Sequence, residues 1–325
     1  MSKKIVIGDN ELINEALRRR LKGEEEVFIL DGPMGSLNSP QWVNDSLVSY
    51  PLVYQLLGQY VQQYKPEIPT EVYFTGGYPF GSQAVRERPA DVCSRLAHVC
   101  LNVINVCHHL KVSKMVFLAS SCIYPPSQDP LREDSVTGVV MPLNEPAALP
   151  RLLALKQCQF YRKQYGQNFV VAVPATAYGP GDDFSDSGHA LPMMMKKLHD
   201  LKMQGATAVT FQGSGAVYRE WIYSVDLADA LVRVMEKYDD PEPINIGGKE
   251  CSMNELVSTL QAVVGTIIPV RFDISVSPGV RRQFLDSRKI RDLGWWPTWS
   301  LRAGLEATYE WYKTSRAAGE PQRQD

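Results

Sequence analysis

Residues 92–120, VCSRLAHVCLNVINVCHHLKVSKMVFLAS, decide the fold. Val92, Leu96, Val99, Val103, Val106 and Leu110 recur every three or four residues, the period of a helix with one buried face. The run that follows, KMVFLAS (114–120), is apolar without alternation. A strand with one face in water alternates; a strand covered on both faces does not. KIVIG (4–8), EVFILD (26–31), EVYFT (71–75) and NFVVAVP (168–174) read as strands of the same kind. Helical stretches within 41–64 and over about 150–165 lie between them. Strand and helix in alternation predict an α/β fold with a doubly wound parallel sheet.

Beyond residue 180 the rhythm becomes irregular. Ser252 and Glu255 make a capping-box pattern ahead of a helix, and 268–273 reads as a strand. LGWWPTWSLRAGLEATYEWYKT (293–314) gives a glycine stop, a loop and a final helix. The chain has 325 residues, 44% hydrophobic and 22% charged, an ordinary globular composition. A net charge of −2 gives no bulk case for nucleic acid or an anionic membrane. No apolar run approaches the ~20 residues of a membrane span. MSKKIVIG enters a strand directly, so a cytoplasmic protein is expected. The six cysteines lack any finger spacing, which points to free thiols and no metal site. Cys93, Cys100 and Cys107 recur every seven residues and read as a small apolar seam in a core or at a dimer face.

A series of motifs runs in one order along the chain: FLASSCIYP (117–125), NEPAALPRLLALKQCQFYRKQYG (144–166), YGPGDDF (178–184), GHALP (188–192), GSGAVYREWIYSVDLADAL (213–231) and INIGG (244–248). The series resembles the extended short-chain dehydrogenase/reductases, the NAD-dependent epimerase/dehydratase family, and most closely its GDP-L-fucose synthase branch. That branch epimerises and reduces a GDP-4-keto-6-deoxy sugar. The resemblance implies a Rossmann sheet over 1–176, with a return segment at about 219–248. It implies a small discontinuous C-terminal substrate domain over about 177–218 and 249–316, and a flexible tail at 317–325. It also implies NAD or NADP as cofactor, a nucleotide-sugar as small-molecule ligand, and a homodimer built on helices at about 91–110 and 150–166.

The chain departs from the family at two places. A dinucleotide site needs glycines after the first strand, so that backbone N–H groups reach the pyrophosphate. The family has Gly-x-x-Gly-x-x-Gly; here VIGDNELINEAL keeps Gly8 but carries Glu11 and Asn14. Two like unit charges about 4 Å apart repel by roughly 1 kcal/mol in water and about 4 at an effective dielectric of 20. Glu11 therefore predicts weak or absent dinucleotide binding, and Asn10 reads as a plain N-cap. Asp31, at the end of the second strand, stands where a carboxylate would bind a ribose, or is simply a turn residue. Gly76 and Gly77 permit close backbone approach to a ligand and equally a plain turn.

The second departure removes the hydride machinery. The family's Tyr-x-x-x-Lys is replaced by Ala147 and Arg151, and the ungapped match of 155–166 fixes that register. Alanine supplies no proton, and arginine does not titrate in this range. Losing a positioned acid removes ~10²–10⁴ of rate. Other parts persist. Ser120 falls on the family's substrate-oxygen Ser, Cys122 on its epimerisation Cys and His189 on its epimerisation His. Cys and His suit proton transfer beside a carbonyl. Arg219 falls on an Arg near the substrate diphosphate, for which a guanidinium is well shaped. Arg282, beside Arg281, lies among further basic contacts, although Gln283 replaces a Lys. Arg151 keeps a positive charge in the same region. Three readings stay open: an epimerase or isomerase without hydride transfer, a non-catalytic protein of the same fold, and an NAD(P)-dependent enzyme with a rebuilt site.

Overall fold

The structure is a computed structural model, and it describes residues 2–23, 27–30, 49–63, 70–76, 82–127, 129–185, 188–275 and 281–317. The chain begins β1 (Lys3–Ile7), α1 (Glu11–Arg20), β2 (Val27–Leu30), α2 (Tyr50–Gln63), β3 (Thr70–Phe74), α3 (Ser82–Glu87) and α4 (Pro89–His109). It continues with β4 (Lys114–Leu118), α5 (Glu145–Tyr165), β5 (Phe169–Pro174), β6 (Thr176–Tyr178), α6 (Ala190–Met203), β7 (Val209–Gln212), β8 (Tyr218–Tyr223) and α7 (Ser224–Lys237). It ends with β9 (Ile244–Ile246), β10 (Lys249–Ser252), α8 (Met253–Val264), β11 (Val270–Asp273), α9 (Arg288–Asp292) and α10 (Leu301–Ala317).

Six strands pair in parallel in the order β2-β1-β3-β4-β5-β9. The apolar runs explain this sheet: every residue of β4 and of β5 is buried. Helix α1 packs on α7, and α2 and α5 pack on α4. Covered strands with short parallel crossovers are what a doubly wound sheet requires. Helix α4 buries Val92, Leu96, Val99, Val103 and Val106, as its period predicts. Cys100 and Cys107 join that buried face and meet Cys158 of α5. Burial pushes the Cys100 and Cys107 thiols up to about 12 and Cys158 higher still, so all three are inert packing groups.

Helix α5 starts at Glu145, five residues ahead of its expected start, with Pro146 in its first turn. Proline is preset for that position because its missing N–H is unpaired there anyway. Pro150 sits deeper in the same helix.

A second core gathers Tyr178, Phe184, Leu191, Phe211, Leu256 and Tyr312 with their neighbours. A three-stranded sheet, β10-β8-β6, and a parallel pair, β11-β7, belong to this half of the chain. The Ser252–Glu255 capping box starts α8 as expected. Among the described residues no helix is long and apolar enough to cross a membrane. Asp31, Gly77, residues 41–48 and most of the expected tail lie outside the described residues.

Candidate functional site

After β1 the chain goes to β2 on one side and crosses to β3 on the other. Strand order reverses here, and open α/β sheets bind ligands in the crevice at such a point. Gly8 ends β1 against the end of β3. A Cβ on Gly8 would lie 2.3 Å from the Gly76 nitrogen and 2.5 Å from Thr75 Oγ1. The surviving glycine is thus required by backbone packing whether or not a nucleotide is bound.

The remainder of the loop satisfies its own polar groups. Asn10 Oδ1 accepts from the Ile13 amide at 3.2 Å, one of the N-terminal N–H groups of α1 that an anion would otherwise use. Asn14 is 2% exposed. Its Nδ2 donates to the Gly8 carbonyl at 3.0 Å, and Thr75 Oγ1 donates to its Oδ1 at 2.5 Å. Asn14, at the third glycine position, and Thr75, just after β3, are therefore hydrogen-bonded partners. Asp9 and Arg95 form a buried ion pair at 3.1 Å across the same crevice, their side chains 1% and 3% exposed. Glu11 points out to solvent.

The vacated acid–base pair is also absorbed into packing. Ala147 lies against the apolar cluster of Val85, Val92 and Leu96. Arg151 is buried, and its Nη1 donates to the Ala147 carbonyl at 2.7 Å. Pro150 lacks an amide and crowds the preceding turn, so a guanidinium that meets a carbonyl of that turn is locally useful.

Ser120 caps the short 3₁₀ turn Ser121–Ile123, accepting from the Cys122 amide at 3.4 Å. Cys122 and Cys93 are the two half-buried cysteines; the other four are buried. Ser120 lines a cavity of about 50 Å³ with Asn10, Ser121 and Thr176. Ser121, Ala175 and Thr176 also border a second cavity of about 30 Å³, which Arg219, Glu220 and Gln283 close. Ser120 and Arg219 thus line two neighbouring cavities that share Ser121, Ala175 and Thr176 as walls. Arg219 is half-buried, and burial lowers its pKa. Glu220 Oε1 accepts from the Gly248 amide at 2.9 Å and Oε2 from the Leu285 amide at 2.9 Å. Burial pushes that carboxyl up to about 7 against the pull of those amides. Arg282 instead makes a bidentate pair with Glu250, at 2.5 and 2.7 Å, and stacks 4.2 Å over the Phe284 ring.

His189 is the N-cap residue of α6. Its Nδ1 lies 3.6 Å from Asp182 Oδ1, and their side chains are 14% and 2% exposed. Its neighbours Gly188 and Ala190 line a cavity of about 800 Å³. Arg86, Lys196 and Lys197 line that cavity together with Glu87 and Asp200, Lys196 lying 3.6 Å from Asp200, and Met193, Met194 and Phe211 are its apolar walls. Asp182, Asp9, Thr75 and Arg95 are the contributors that reading the sequence missed. Asp182 was legible only as part of YGPGDDF; the others carried no local signal.

The fold is a Rossmann-type α/β sheet with a crevice at the switch point and a second cavity along α6. The chain belongs to the NAD dependent epimerase/dehydratase family, whose model matches residues 55–247. It is 34% identical to the GDP-L-fucose synthase of Sinorhizobium fredii, over 94% of this chain and 93% of that one. It is 32% identical to the Escherichia coli GDP-L-fucose synthase, over 94% and 95%. In fold it is similar to a GDP-D-glycero-L-gluco-heptose synthase from Campylobacter jejuni, solved in the presence of NADPH, with a TM-score of 0.80, 24% identity and coverage of 96% and 98%.

Proposed function

We propose that this chain is a nucleotide-sugar epimerase or isomerase that moves protons beside a carbonyl through Cys122 and His189 without hydride transfer. The observation that carries the proposal is the self-satisfied switch-point crevice. Asn10, Asn14 and Thr75 use the groups a pyrophosphate would meet, and the space beside Ser120 is about 50 Å³. These residues do not fit a dinucleotide, so no step is routed through one. With Ala147 and Arg151 in place of a titrating pair, the hydride route also lacks its acid.

The cavity of about 800 Å³ beside His189 lies within the range of small-molecule sites. Arg86 and Lys197 offer donors to a phosphate beside the acidic Glu87 and Asp200, and its apolar walls suit a base or sugar. The GDP-sugar names of the relatives make a GDP-4-keto sugar the natural first ligand. In this mechanism one of the two groups takes a proton from the carbon beside the keto group. The C–H electron pair moves toward the carbonyl oxygen, and the other group returns a proton to the opposite face. Arg219 and Ser120 line the two neighbouring cavities where an oxygen of the ligand would be held. Residues 177–218 and 249–316 form the substrate domain in this reading, with the second core as its centre. The functional unit is a homodimer. Leu149, Leu153 and Phe160, exposed at 47%, 50% and 62%, recur along α5 as the face a second copy would cover.

The test is deuterium uptake from D₂O at the carbons flanking the keto group of a GDP-4-keto-6-deoxy sugar, read by NMR without any nicotinamide. Exchange that falls ~10²-fold or more in both Cys122→Ser and His189→Ala supports the proposal. Exchange no faster than buffer refutes it in favour of the second reading, a non-catalytic protein of the same fold. The narrowness of the space beside Ser120 is the observation that favours that alternative.

A further inference from the structure

We infer that the two neighbouring cavities bordered by Ser121 and Thr176 form a subsite for the hydroxyl groups of a sugar, not for its phosphates, and that Gln283 is the specificity-determining residue of that subsite. The inference rests on the nucleotide-sugar ligand proposed above and not on the proton transfer.

Three pieces of chain build the subsite. Ser120 and Ser121 come from the turn after β4, Thr176 opens β6 in register with Trp221 of β8, and Gln283 lies in the segment ahead of α9. That segment is fastened on both sides of Gln283. The Tyr218 amide donates to the Arg281 carbonyl and the Leu131 amide to the Phe284 carbonyl, both at 2.9 Å. The Leu285 amide donates to Glu220 Oε2 at 2.9 Å, and Arg282 is held by Glu250. The Gln283 side chain itself makes no hydrogen bond among the described residues, and neither do the hydroxyls of Ser121 and Thr176. Three half-buried polar side chains around one cavity, on a fixed backbone, are satisfied only by water or a ligand.

Charge and hydrogen-bonding chemistry decide which ligand. No charged residue borders the cavity of about 50 Å³, and the one of about 30 Å³ has one cation, Arg219, and one anion, Glu220. Arg219 Nη1 already donates to the Tyr218 carbonyl at 2.7 Å. The other cation close by in the segment, Arg282, is paired with Glu250. A diphosphate is polyanionic and only accepts hydrogen bonds, so it calls for an excess of cationic donors. A sugar hydroxyl donates and accepts, as do the serine and threonine hydroxyls and the primary amide of Gln283. The cavities are on the scale of one or two waters, each with a ~30 Å³ share of liquid volume, which admits a hydroxymethyl or a pair of ring hydroxyls. At position 283 a lysine would donate only and a leucine would do neither. A site built to hydrogen-bond a hydroxyl discriminates strongly against a ligand that lacks it, because its polar groups are then left unpaired.

The experiment is calorimetry of the full-length protein with GDP-mannose, whose sugar keeps every hydroxyl, and with GDP alone. Wild type is expected to bind GDP-mannose ~10-fold or more tighter than GDP. Gln283→Leu is expected to remove that preference and to leave GDP within about 2-fold of wild type, and Thr176→Val to reduce the preference in the same direction. Gln283→Lys, which adds the cation the cavity lacks, is expected to weaken GDP-mannose without strengthening GDP. Wild type that binds GDP and GDP-mannose equally overturns the inference, needs no variant to fold, and leaves the nucleotide reading standing; the cavities then hold water only. A gain of ~10-fold for GDP in Gln283→Lys overturns it too, since the phosphates would then lie there. Binding of neither probe overturns the inference together with the nucleotide-sugar reading. A preference that depends on Gln283, without deuterium exchange on any keto-sugar nucleotide, supports the inference and refutes the acid–base reading.

Discussion

Replacing Asn14 and Thr75 singly and together tests whether the former glycine position has become structural. Asn14→Ala removes the acceptor for Thr75 Oγ1 and the donor to the Gly8 carbonyl, both in a buried site. Two lost hydrogen bonds at ~1 kcal/mol each, with a hydroxyl and a carbonyl left short of partners, sum to about 3–4 kcal/mol. The better helix propensity of alanine inside α1 returns about 0.7 kcal/mol. The net expectation is a loss of about 2–3 kcal/mol. Thr75→Val keeps the side-chain shape and removes the hydroxyl's bonds to Asn14 Oδ1 and to the Ile7 carbonyl, so about 1–2 kcal/mol is expected. Once one partner is gone the other has little left to lose. The double variant should therefore be less destabilised than the sum by on the order of 1 kcal/mol. Urea unfolding at constant pH, followed by circular dichroism, measures all four corners of the cycle. Additivity within about 0.3 kcal/mol would mean that the two residues are not coupled. The crevice would then not be held shut by them, and the case against a dinucleotide would lose its main support.

Calorimetry with NADH and NADPH should give dissociation constants above about 1 μM, weaker than ~8.2 kcal/mol of binding; tighter binding revives the reductase reading. Glu220 makes stability depend on pH in a stated direction. Its folded pKa, about 7, lies above its ordinary value of 4.5, so its contribution is fully present below 4.5 and is lost as pH rises through 7. Unfolding free energy should therefore fall between pH 5 and pH 8. Glu220→Gln should flatten that slope while lowering stability overall, since an amide nitrogen cannot accept from the Gly248 or Leu285 amide. An unaltered slope in the variant counts against this assignment. Light scattering at micromolar concentration should show a dimer that Leu153→Asp converts to monomer; a wild-type monomer defeats the dimer proposal.

Much of the fold was legible because its signals are local. The 3.6 period of α4, the unalternating runs of β4 and β5, and the Ser252–Glu255 box depend only on neighbours in sequence. The motif series likewise located Ser120, Cys122, His189 and Arg219 by order and spacing. Helix α5 starts five residues ahead of its expected start, with Pro146 in a first turn that tolerates a missing amide.

Tertiary structure alone decided what the departures mean. Asn14 and Thr75 are 61 positions apart, and Asp9 and Arg95 are 86 apart. The parallel pairing of β1 with β3 brings the first pair together, and α4, which follows β3, supplies the partner of the second. In the sequence Asn14 is simply a lost glycine; in the fold it is a hydrogen-bonded plug. Arg282 reads as a cation awaiting a phosphate until Glu250 is found beside it. Asp182 reads only as part of YGPGDDF until the fold sets it 3.6 Å from His189. Sequence periodicity reports which face of an element is buried. It does not report which polar group from a distant element will share that burial, and such pairings settle what a site can bind.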